Sequence, residues 1–487
     1  MRPRTIDCDA LVIGSGAGGS AAAWELAAAG RQVTVLEEGP RVDTAALAAA
    51  TPAENMRRLY RQGGLLPILG TPVVAYGEGR CVGGSTVVNG GLFWEPPDGL
   101  LDRWALDAGL DGYRAADLAG RLRTIAARLG VVTQGPGDGN RDSTLLSAGA
   151  DRLGWAWHTA HRAVDRCVHR NRCVTGCPSG AKQSMAVGYL PAVEAMGGVV
   201  RPDVRVRRLA HRGGRITGVL AGDVRYRPRD VFAAAGPLGT PALLQRSGIH
   251  RRDAGRRLAL HVNLRTTALF GEPVHADRGT IFTAQLTEFA GRGVLVMAAN
   301  HSPGALAGAL AAQPPALVDA MLAAFDRTAV YTTQVRMTGT ARVTAVPPAG
   351  VLVRHALTSR DHAALRTAFR DTARLLFAAG AVAVVPPAPA ASPLRRMSDV
   401  EDFCAGVRPG DWQLVSVHGM ASCPMGRPER GGVCDDQGRP YGFTNLRITD
   451  ASVLPGPTGV SPQGTIMAFA HEIAARSLAT RPANRPA

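Results

Sequence analysis

The 487-residue chain is 46% hydrophobic and 19% charged and has no run of 18 apolar residues, which excludes a disordered composition and predicts no membrane span. Its formal charge is +16, but the arginines are scattered, aromatic residues make up only 5%, and no nucleic-acid-binding motif is present, so we expect no nucleic-acid partner. The length exceeds that of a usual single domain and predicts a large core with a second lobe.

The N-terminus passes from a few basic residues straight into a strand pattern, so we predict no signal peptide and expect the protein in the cytoplasm. The cations are almost all arginine, and Lys182 is the only lysine in the sequence. Either Lys182 has a task that requires a compact ammonium group, or it is a chance survivor of a composition biased towards arginine.

The first forty residues carry the pattern of a dinucleotide-binding unit. An apolar strand leads into a turn with Gly14, Gly16 and Gly19, then an alanine-rich helix ending near Gly30, then a second strand ending at Glu37. Such glycines let the backbone approach a pyrophosphate at the helix N-terminus, and the carboxylate of Glu37 suits the ribose hydroxyls. The unit predicts a Rossmann-type α/β fold but does not distinguish FAD from NAD.

Three later segments read GEGRCVGGSTVVNGG (77–91), AAGPLGTPALLQRSGI (234–249) and NLRITDASVLPGPTGVSPQGTIMAFAHEIA (445–474). In this order, after the N-terminal unit, they resemble the signatures of the glucose-methanol-choline (GMC) oxidoreductase family. The resemblance implies FAD as the cofactor, bound by a glutathione-reductase-like Rossmann domain. It also implies that Val204 meets the adenine through its backbone, and that Asp450 and Ala451 contact the ribityl and pyrophosphate region.

The first of these segments is expected to run along the flavin ring, although a plain glycine loop is the alternative. Glycines leave room for backbone to lie against the ring, and serine and asparagine offer neutral hydrogen bonds. Family members with covalently bound FAD often have histidine just before the signature asparagine, whereas this chain has Val88, so we expect non-covalent FAD. The predicted cofactor contacts of this segment are Gly83, Gly84, Ser85, Asn89 and Gly90.

The pattern changes after residue 260. Alternating segments at 329–337, 340–346 and 351–357, followed by a helical pattern at 361–380, predict an antiparallel sheet backed by helices. This matches the substrate lobe that the resemblance implies, and PPAPAASP (386–393) is a connection or a border of the pocket. The predicted division is an FAD-binding domain over 1–260 with an inserted cysteine segment at 161–190, a substrate-binding domain over 261–413, and a closing FAD-binding part over 414–487.

Cys167, Cys173 and Cys177 cluster in a short segment, which raises the question of a metal site. The spacing lacks the two-residue gaps and the fourth thiolate of a ferredoxin run, and with His169 it does not match common zinc sites, so we predict no metal. A local disulfide and plain thiols both remain open. CVTGCPSGAKQS (173–184) and, weakly, ALHVN (259–263) resemble GMC alcohol oxidases of the long-chain type, which implies that Lys182 is structural or a cofactor contact.

His418 in LVSVHGMASCPMG (414–426) could be a core histidine, a metal ligand or a catalytic base. In the family, the histidine of such a segment lies against the reactive edge of the flavin, which implies that His418 is the base. An alcohol is about as weak an acid as water, near 15.7, whereas a neutral imidazole can accept the hydroxyl proton as hydride leaves for flavin N5. The resulting cation would stabilise the reduced flavin.

The family's second catalytic residue, usually histidine or asparagine, corresponds to Ser461, which can donate one hydrogen bond to the substrate oxygen. Gln463 is the alternative for this contact, and Pro462 and Gln463 are predicted to meet the cofactor. Ala421 and Pro424 differ from the residues common in the family. His471, on the helix of the last segment, is expected to be a surface or packing residue.

The sequence therefore predicts an FAD-dependent enzyme that oxidises an alcohol, such as the primary hydroxyl of a small metabolite, and passes electrons to oxygen or another acceptor. A sugar or aminoglycoside hydroxyl in antibiotic biosynthesis and an aliphatic or steroid alcohol are both open as substrates. The alternative is a non-catalytic flavin-binding or electron-transfer protein that uses the cysteine cluster. The sequence does not indicate an oligomeric state.

Overall fold

The computed structural model describes residues 4–299, 301–348 and 350–479. Within these ranges the strands are β1 (Arg4–Ile13), β2 (Val33–Leu36), β3 (Leu66–Ile68), β4 (Val74–Tyr76), β5 (Val131–Thr133), β6 (Trp157–Thr159), β7 (His161–Ala163), β8 (Val199–Arg201), β9 (Val206–Arg212), β10 (Arg215–Ala221), β11 (Val224–Ala233), β12 (Leu258–Phe270), β13 (Ala284–Leu286), β14 (Val294–Ala298), β15 (Thr328–Val346), β16 (Gly350–His355), β17 (Ala381–Val385), β18 (Leu414–Met420) and β19 (Leu446–Ile448).

The helices of the same ranges are α1 (Ala17–Ala28), α2 (Thr44–Ala49), α3 (Pro52–Leu59), α4 (Leu100–Ala108), α5 (Ala115–Arg128), α6 (Arg141–Leu153), α7 (Met185–Gly188), α8 (Leu190–Ala195), α9 (Gly236–Arg246), α10 (Pro303–Ala309), α11 (Pro315–Ala323), α12 (Ser359–Ala378), α13 (Met397–Gly406) and α14 (Gln463–Ala479). In the described part of the chain, none of them is at once long enough and apolar enough to cross a membrane.

The first sheet is the Rossmann-type layer that the sequence predicts. Its strand order is β8-β2-β1-β11-β10-β9, and β19 pairs with β11 at the branch. The strands β8, β2, β1, β11 and β19 are parallel, and β10 and β9 add an antiparallel extension. Helices α1 and α14 pack against each other beside this sheet. The predicted strand, glycine turn, helix and second strand are confirmed as β1, α1 and β2.

The second sheet has the order β3-β4-β18-β12-β15-β14-β13-β6, with β17 on β12 and β16 on β15. All its pairs are antiparallel except β18 with β4. The predicted segments 329–337 and 340–346 are one continuous strand, β15, because β12 pairs with its first half and β16 with its second. The predicted helix is α12, whose Leu365, Phe369, Ala373 and Leu376 are buried.

Strand membership does not follow the predicted domain boundaries closely. The strand β18, which carries His418, pairs with β12 and β4 in the second sheet, although it begins the segment that the sequence assigns to the FAD-binding domain. The early strands β3 and β4 also belong to the second sheet. The division into domains stays a prediction, and the sheets show that the chain crosses between the two layers several times.

Candidate active site

A cavity of about 1470 Å³ lies between the two sheets and brings nearly all predicted site residues together. Its first-sheet wall comes from the glycine turn before α1 and the segment after β2, and its second-sheet wall comes from β12, β14, β15 and β18. The predicted residues on its lining are Gly14, Gly16, Glu37, Gly84, Ser85, Asn89, Gly90, Val204, His418, Asp450, Ala451, Ser461, Pro462 and Gln463.

Gly19 and Gly83 are the two predicted cofactor contacts that do not line this cavity. A Cβ on Gly19 would lie 2.0 Å from the carbonyl oxygen of Gly14, so Gly19 allows α1 to pack against the turn. Gly83 has φ +94°, and a Cβ there would meet Val87 at 2.7 Å. Both glycines are therefore needed for close backbone packing, and a direct contact with the cofactor stays a prediction.

Gly16 leaves unfilled space at the N-terminus of α1. A Cβ built on Gly16 would meet no protein atom within 4 Å, and the residue lines the cavity. Its φ of −69° and ψ of −169° would accept a side chain, so the backbone conformation does not explain the glycine. An unfilled space next to the free N–H groups of a helix N-terminus fits the pyrophosphate of FAD.

Glu37 is held in a fixed orientation at the end of β2. Its Oε2 accepts hydrogen bonds from the backbone N–H (3.0 Å) and hydroxyl (2.7 Å) of Ser15, and its Oε1 accepts one from the N–H of Gly39 (2.9 Å). Burial raises the pKa of Glu37, and these hydrogen bonds oppose that shift. The carboxylate oxygens have further lone pairs, which could accept hydrogen bonds from ribose hydroxyls.

Val204 lies beside Glu37 and donates its backbone N–H to the carbonyl of that residue (2.8 Å). The predicted backbone contact with adenine would therefore have to come from the carbonyl of Val204. At the other end of the first sheet, Asp450 accepts hydrogen bonds from the N–H of Gly236 (2.8 Å), the hydroxyl of Thr240 (2.5 Å) and the N–H of Ser452 (2.8 Å). Asp450 thus fixes the segments around it on the cavity wall.

The ammonium group of Lys182 donates hydrogen bonds to backbone carbonyls of the loop 84–90. This side chain is 3% exposed and donates to the carbonyls of Val87, Asn89 and Cys173, each at 2.7 Å. Burial lowers the pKa of Lys182 to about 8. Lys182 does not line the cavity, so its contacts support a structural role for the lysine.

His418 lies on the cavity wall with a second imidazole behind it. The residues His261 and His418 are paired across β12 and β18, and their Nδ1 atoms are 3.2 Å apart. The rings meet nearly at right angles, at 82°. His261 is fully buried, and its Nε2 accepts a hydrogen bond from the backbone N–H of Gly459 (3.0 Å). The pair therefore links the second sheet to the segment just before Ser461.

The hydrogen bonds also fix where the protons of a neutral pair lie. Because the N–H of Gly459 can only donate, Nε2 of His261 accepts, and a neutral His261 carries its hydrogen on Nδ1. That hydrogen is directed at Nδ1 of His418, so a neutral His418 carries its own on Nε2. Burial lowers the pKa of His418 to about 4 and the pKa of His261 well below its usual value, so both rings are neutral near pH 7.

The two candidates for the second catalytic position differ in what they already bind. The Oε1 of Gln463 accepts a hydrogen bond from Nδ2 of Asn89 (2.6 Å), which joins α14 to the loop 84–90. Ser461 lies on the cavity wall and is half-buried. Among the described residues, the structure shows no hydrogen bond of the Ser461 hydroxyl, whereas the Oε1 of Gln463 is occupied and its Nε2 lies 4.0 Å from Sδ of Met467.

Sequence reasoning did not assign two residues of this site, His261 and Arg265. Both lie on β12 and alternate with apolar residues in LALHVNLRTT, a period-2 pattern that places them on the same face of the strand. The segment 259–263 contains His261, but nothing local shows that β12 pairs with β18. The period-2 alternation was the only local signal for these residues, and their partner strand β18 lies about 150 residues later in the sequence.

The remaining predictions concern residues outside the cavity. All eight cysteines lie in the described ranges and are free thiols, so there is no disulfide between them. Among the described residues, no group of three or more histidine, cysteine or acidic side chains could hold a metal ion. His471 is a packing residue, buried against Glu25 (2.9 Å) and Tyr189 (3.2 Å). The loop 386–393 contributes no residue to the cavity lining and is a connection.

Comparison with known proteins places this geometry in a family. Relatives include the GMC-type oxidoreductase y4nJ of Sinorhizobium fredii, 33% identical over 97% of this chain and 95% of that protein. The long-chain-alcohol oxidase FAO4B of Arabidopsis thaliana is 28% identical over 97% of this chain and 67% of that protein. The fold resembles the crystal structure of pyridoxine 4-oxidase from Mesorbium loti, with a TM-score of 0.76 at 17% identity, over 98% of this chain and 100% of that one.

Family models agree with these relatives. A model of an NAD(P)-binding Rossmann-like domain matches residues 12–62. Two models described as GMC oxidoreductase match residues 56–263 and 332–470, which together make up more than half of the sequence. The chain therefore belongs to the GMC oxidoreductases, a family of FAD-dependent enzymes.

Proposed function

We propose that this enzyme oxidises an alcohol, such as the primary hydroxyl of a small metabolite, to an aldehyde or ketone. The observation that supports it most is His418, a neutral imidazole on the wall of the cofactor-sized cavity, held by His261 from behind. FAD, when bound, supplies a hydride acceptor. Oxygen or another acceptor then takes the electrons.

In the proposed reaction His418 accepts the hydroxyl proton at Nε2, the ring nitrogen not engaged by His261. Transfer of a proton to a positioned base contributes about 10²- to 10⁴-fold to such rates. Ser461 is proposed to orient the alcohol by donating a hydrogen bond to its oxygen, because its hydroxyl has no other hydrogen bond among the described residues, whereas the orientation of Gln463 is fixed by Asn89. The supporting observation for Ser461 is its position on the cavity wall.

The hydrogen bond from Gly459 sets a condition on this step. To accept a proton at Nε2, His418 must carry its own hydrogen on Nδ1 and donate it to His261. The hydrogen of His261 would then be on Nε2, facing the N–H of Gly459, so that hydrogen bond would be lost. We propose that this rearrangement accompanies the binding of cofactor and substrate, since catalytic hydrogen bonds often reach their final geometry only in the complex. The Nδ1 hydrogen of His261 passes to Nδ1 of His418, the Nε2 proton of His418 passes to water in the cavity, and Nε2 of His261 takes up a proton from water as it separates from Gly459.

The identity of the alcohol is supported by the names of two relatives. The name of the Arabidopsis relative favours aliphatic alcohols. The name of another relative, the paromamine 6'-oxidase of Streptomyces fradiae (26% identical), favours the hydroxyl of an amino sugar. Non-covalent FAD is supported by Val88, whose side chain cannot bond covalently to the flavin. The eight free thiols are typical of a reducing compartment, which supports a cytoplasmic location.

The proposed function is tested by adding alcohols to the yellow holoenzyme without oxygen. At least one member of a panel of aliphatic, sterol and sugar alcohols is expected to bleach the visible flavin absorbance, and the methyl ether of the same compound is expected to leave it unchanged. Flavin absorbance is recorded in an anaerobic cuvette, and the carbonyl product is identified by mass spectrometry. Persistent colour with every alcohol would instead favour a flavin-binding protein that does not turn over alcohols.

The pH dependence of kcat/KM for a neutral alcohol is expected to reflect the low pKa of His418. A base works only while unprotonated, so activity should be level from about pH 5 to 7 and fall as the pH drops through about 4, where burial has placed the pKa. An ordinary histidine would give the fall near pH 6.5. Initial rates are measured with FAD content monitored at each pH, and a midpoint near 6.5 would show that burial does not lower the pKa of His418 in the holoenzyme.

A further inference from the structure

The strand β12 places a row of polar side chains along the cavity. His261, Asn263 and Arg265 share one face of the strand because side chains alternate with period two. Asn263 and Arg265 both line the cavity. At 3.3 to 3.4 Å per residue, the backbone of Arg265 lies about 13 Å from that of His261. Arg265 therefore lies in a part of the cavity that is distant from His418.

Arg265 is a cation with no anionic partner in the described ranges. It forms none of the ion pairs found there, and burial alone lowers its pKa. One guanidinium nitrogen, Nη2, donates to the carbonyl of Ala305 in α10 (2.9 Å). A Cβ on Gly308 of the same helix, another cavity-lining residue, would lie 3.7 Å from Nη1. The remaining donors of Arg265 are thus next to the open space of the cavity.

The acidic residues on the cavity wall form hydrogen bonds or ion pairs with residues other than Arg265. Glu37 binds Ser15 and Gly39, and Asp450 holds the segments near α9. The other two, Glu38 and Glu78, form ion pairs with arginines of the first-sheet side, such as Arg61. Around Arg265 the cavity lining is instead apolar or neutral, with residues such as Leu295, Met297, Thr332, Gln413 and Val415.

A half-buried guanidinium without a counter-ion is unfavourable unless a ligand supplies the charge. We infer that Arg265 binds an oxyanion, a carboxylate or phosphate group, that the alcohol substrate carries several bonds from the carbon to be oxidised. The planar fork of arginine is suited to such groups and forms charge-assisted hydrogen bonds with them. This inference rests on the proposed function, because it assigns the far end of an alcohol whose hydroxyl lies at His418.

The inferred subsite narrows the substrate class. An ω-hydroxy acid or a hydroxyalkyl phosphate of suitable length would place its anion at Arg265 and its hydroxyl at His418. The apolar lining between them suits a hydrocarbon spacer. A cationic amino sugar would bring a like charge to Arg265, so aminoglycosides fit this region poorly.

The test compares ω-hydroxy carboxylic acids of increasing chain length with the corresponding neutral amides and with ω-hydroxyalkyl phosphates. For the wild-type holoenzyme, kcat/KM should favour at least one anionic compound over its amide by about 10- to 100-fold, as expected for a charge-assisted hydrogen bond. Arg265→Gln should remove this preference, so that the variant oxidises the acid and the amide with similar kcat/KM. Arg342→Gln, on an exposed part of β15, is the matched control and should keep the preference.

Each outcome has a distinct meaning. Equal kcat/KM for acid and amide in the wild type would contradict the proposed anion subsite, even if Arg265→Gln failed to fold. Bleaching of the flavin by either compound would still support the proposed oxidation of alcohols. A preference that survives in Arg265→Gln would also contradict the anion subsite. The longest or shortest acid that shows the preference reports the distance between the two ends, and a preference limited to phosphates identifies the oxyanion. FAD content and Tm of both variants verify that they are folded.

Discussion

Replacing His418 by alanine is expected to lower kcat/KM for the best alcohol by about 10²- to 10⁴-fold, the usual contribution of a positioned acid–base group. The FAD content should stay near that of the wild type, because the cofactor is proposed to be held mainly by the glycine turn, Glu37 and the loop 84–90. The loss should appear in the anaerobic rate of flavin reduction, measured by stopped-flow absorbance and normalised to bound FAD. The substitution also removes the hydrogen bond to His261, so Tm is recorded alongside.

His161→Ala is a matched control for this variant, since His161 is exposed and lies outside the cavity lining. It should reduce the flavin at the wild-type rate. If His418→Ala retained full FAD and reduced the flavin within threefold of the wild-type rate, His418 would not be the base. The proton would then have to leave through another group or through water.

Replacing Gly16 by valine is expected to weaken FAD binding by at least about tenfold while the fold is kept. The backbone of Gly16 is already in an extended conformation that valine accepts, and its Cβ would meet no protein atom within 4 Å. The added side chain would instead occupy the space proposed for the pyrophosphate, where overpacking costs about 1–3 kcal/mol or more. FAD per chain is measured from the absorbance of the purified protein, and affinity by titration of the apoprotein.

A second glycine provides the control for this variant. Gly406→Val changes an exposed glycine at the end of α13 that likewise has no atom within 4 Å of a Cβ and lies outside the cavity. It should bind FAD like the wild type. Full FAD occupancy in Gly16→Val would show that the pyrophosphate lies elsewhere, whereas a large fall in the Tm of the apoprotein would point to a folding defect.

The parts of the molecule that the sequence predicted well are those fixed by local backbone chemistry. The turn at Gly14 and Gly16, the helix after it and the carboxylate of Glu37 follow each other along the chain, so their arrangement is visible in one segment. The Rossmann-type fold, the enzyme class and FAD as cofactor are confirmed by the family membership. The roles of the individual site residues stay predictions.

The features that the sequence did not predict depend on pairing between distant segments. His261 meets His418 only because β12 and β18 align in one register, and a local pattern contains no information on that register. Arg265 could be recognised only once the acidic residues of the cavity wall were found to have other partners. The same distant pairings place β18 in the second sheet, which the predicted domain boundaries did not anticipate.

Lys182 has a consequence for chemical labelling of the enzyme. Because it is the only lysine of the sequence and is almost fully buried, a reagent that acylates side-chain amines has nothing to react with while the described fold is intact. Acylation requires the segment around Cys173 to separate from Val87 and Asn89, whose carbonyls hold the ammonium group. The rate of modification at this single amine would therefore measure how often the loop proposed to support the flavin opens in solution.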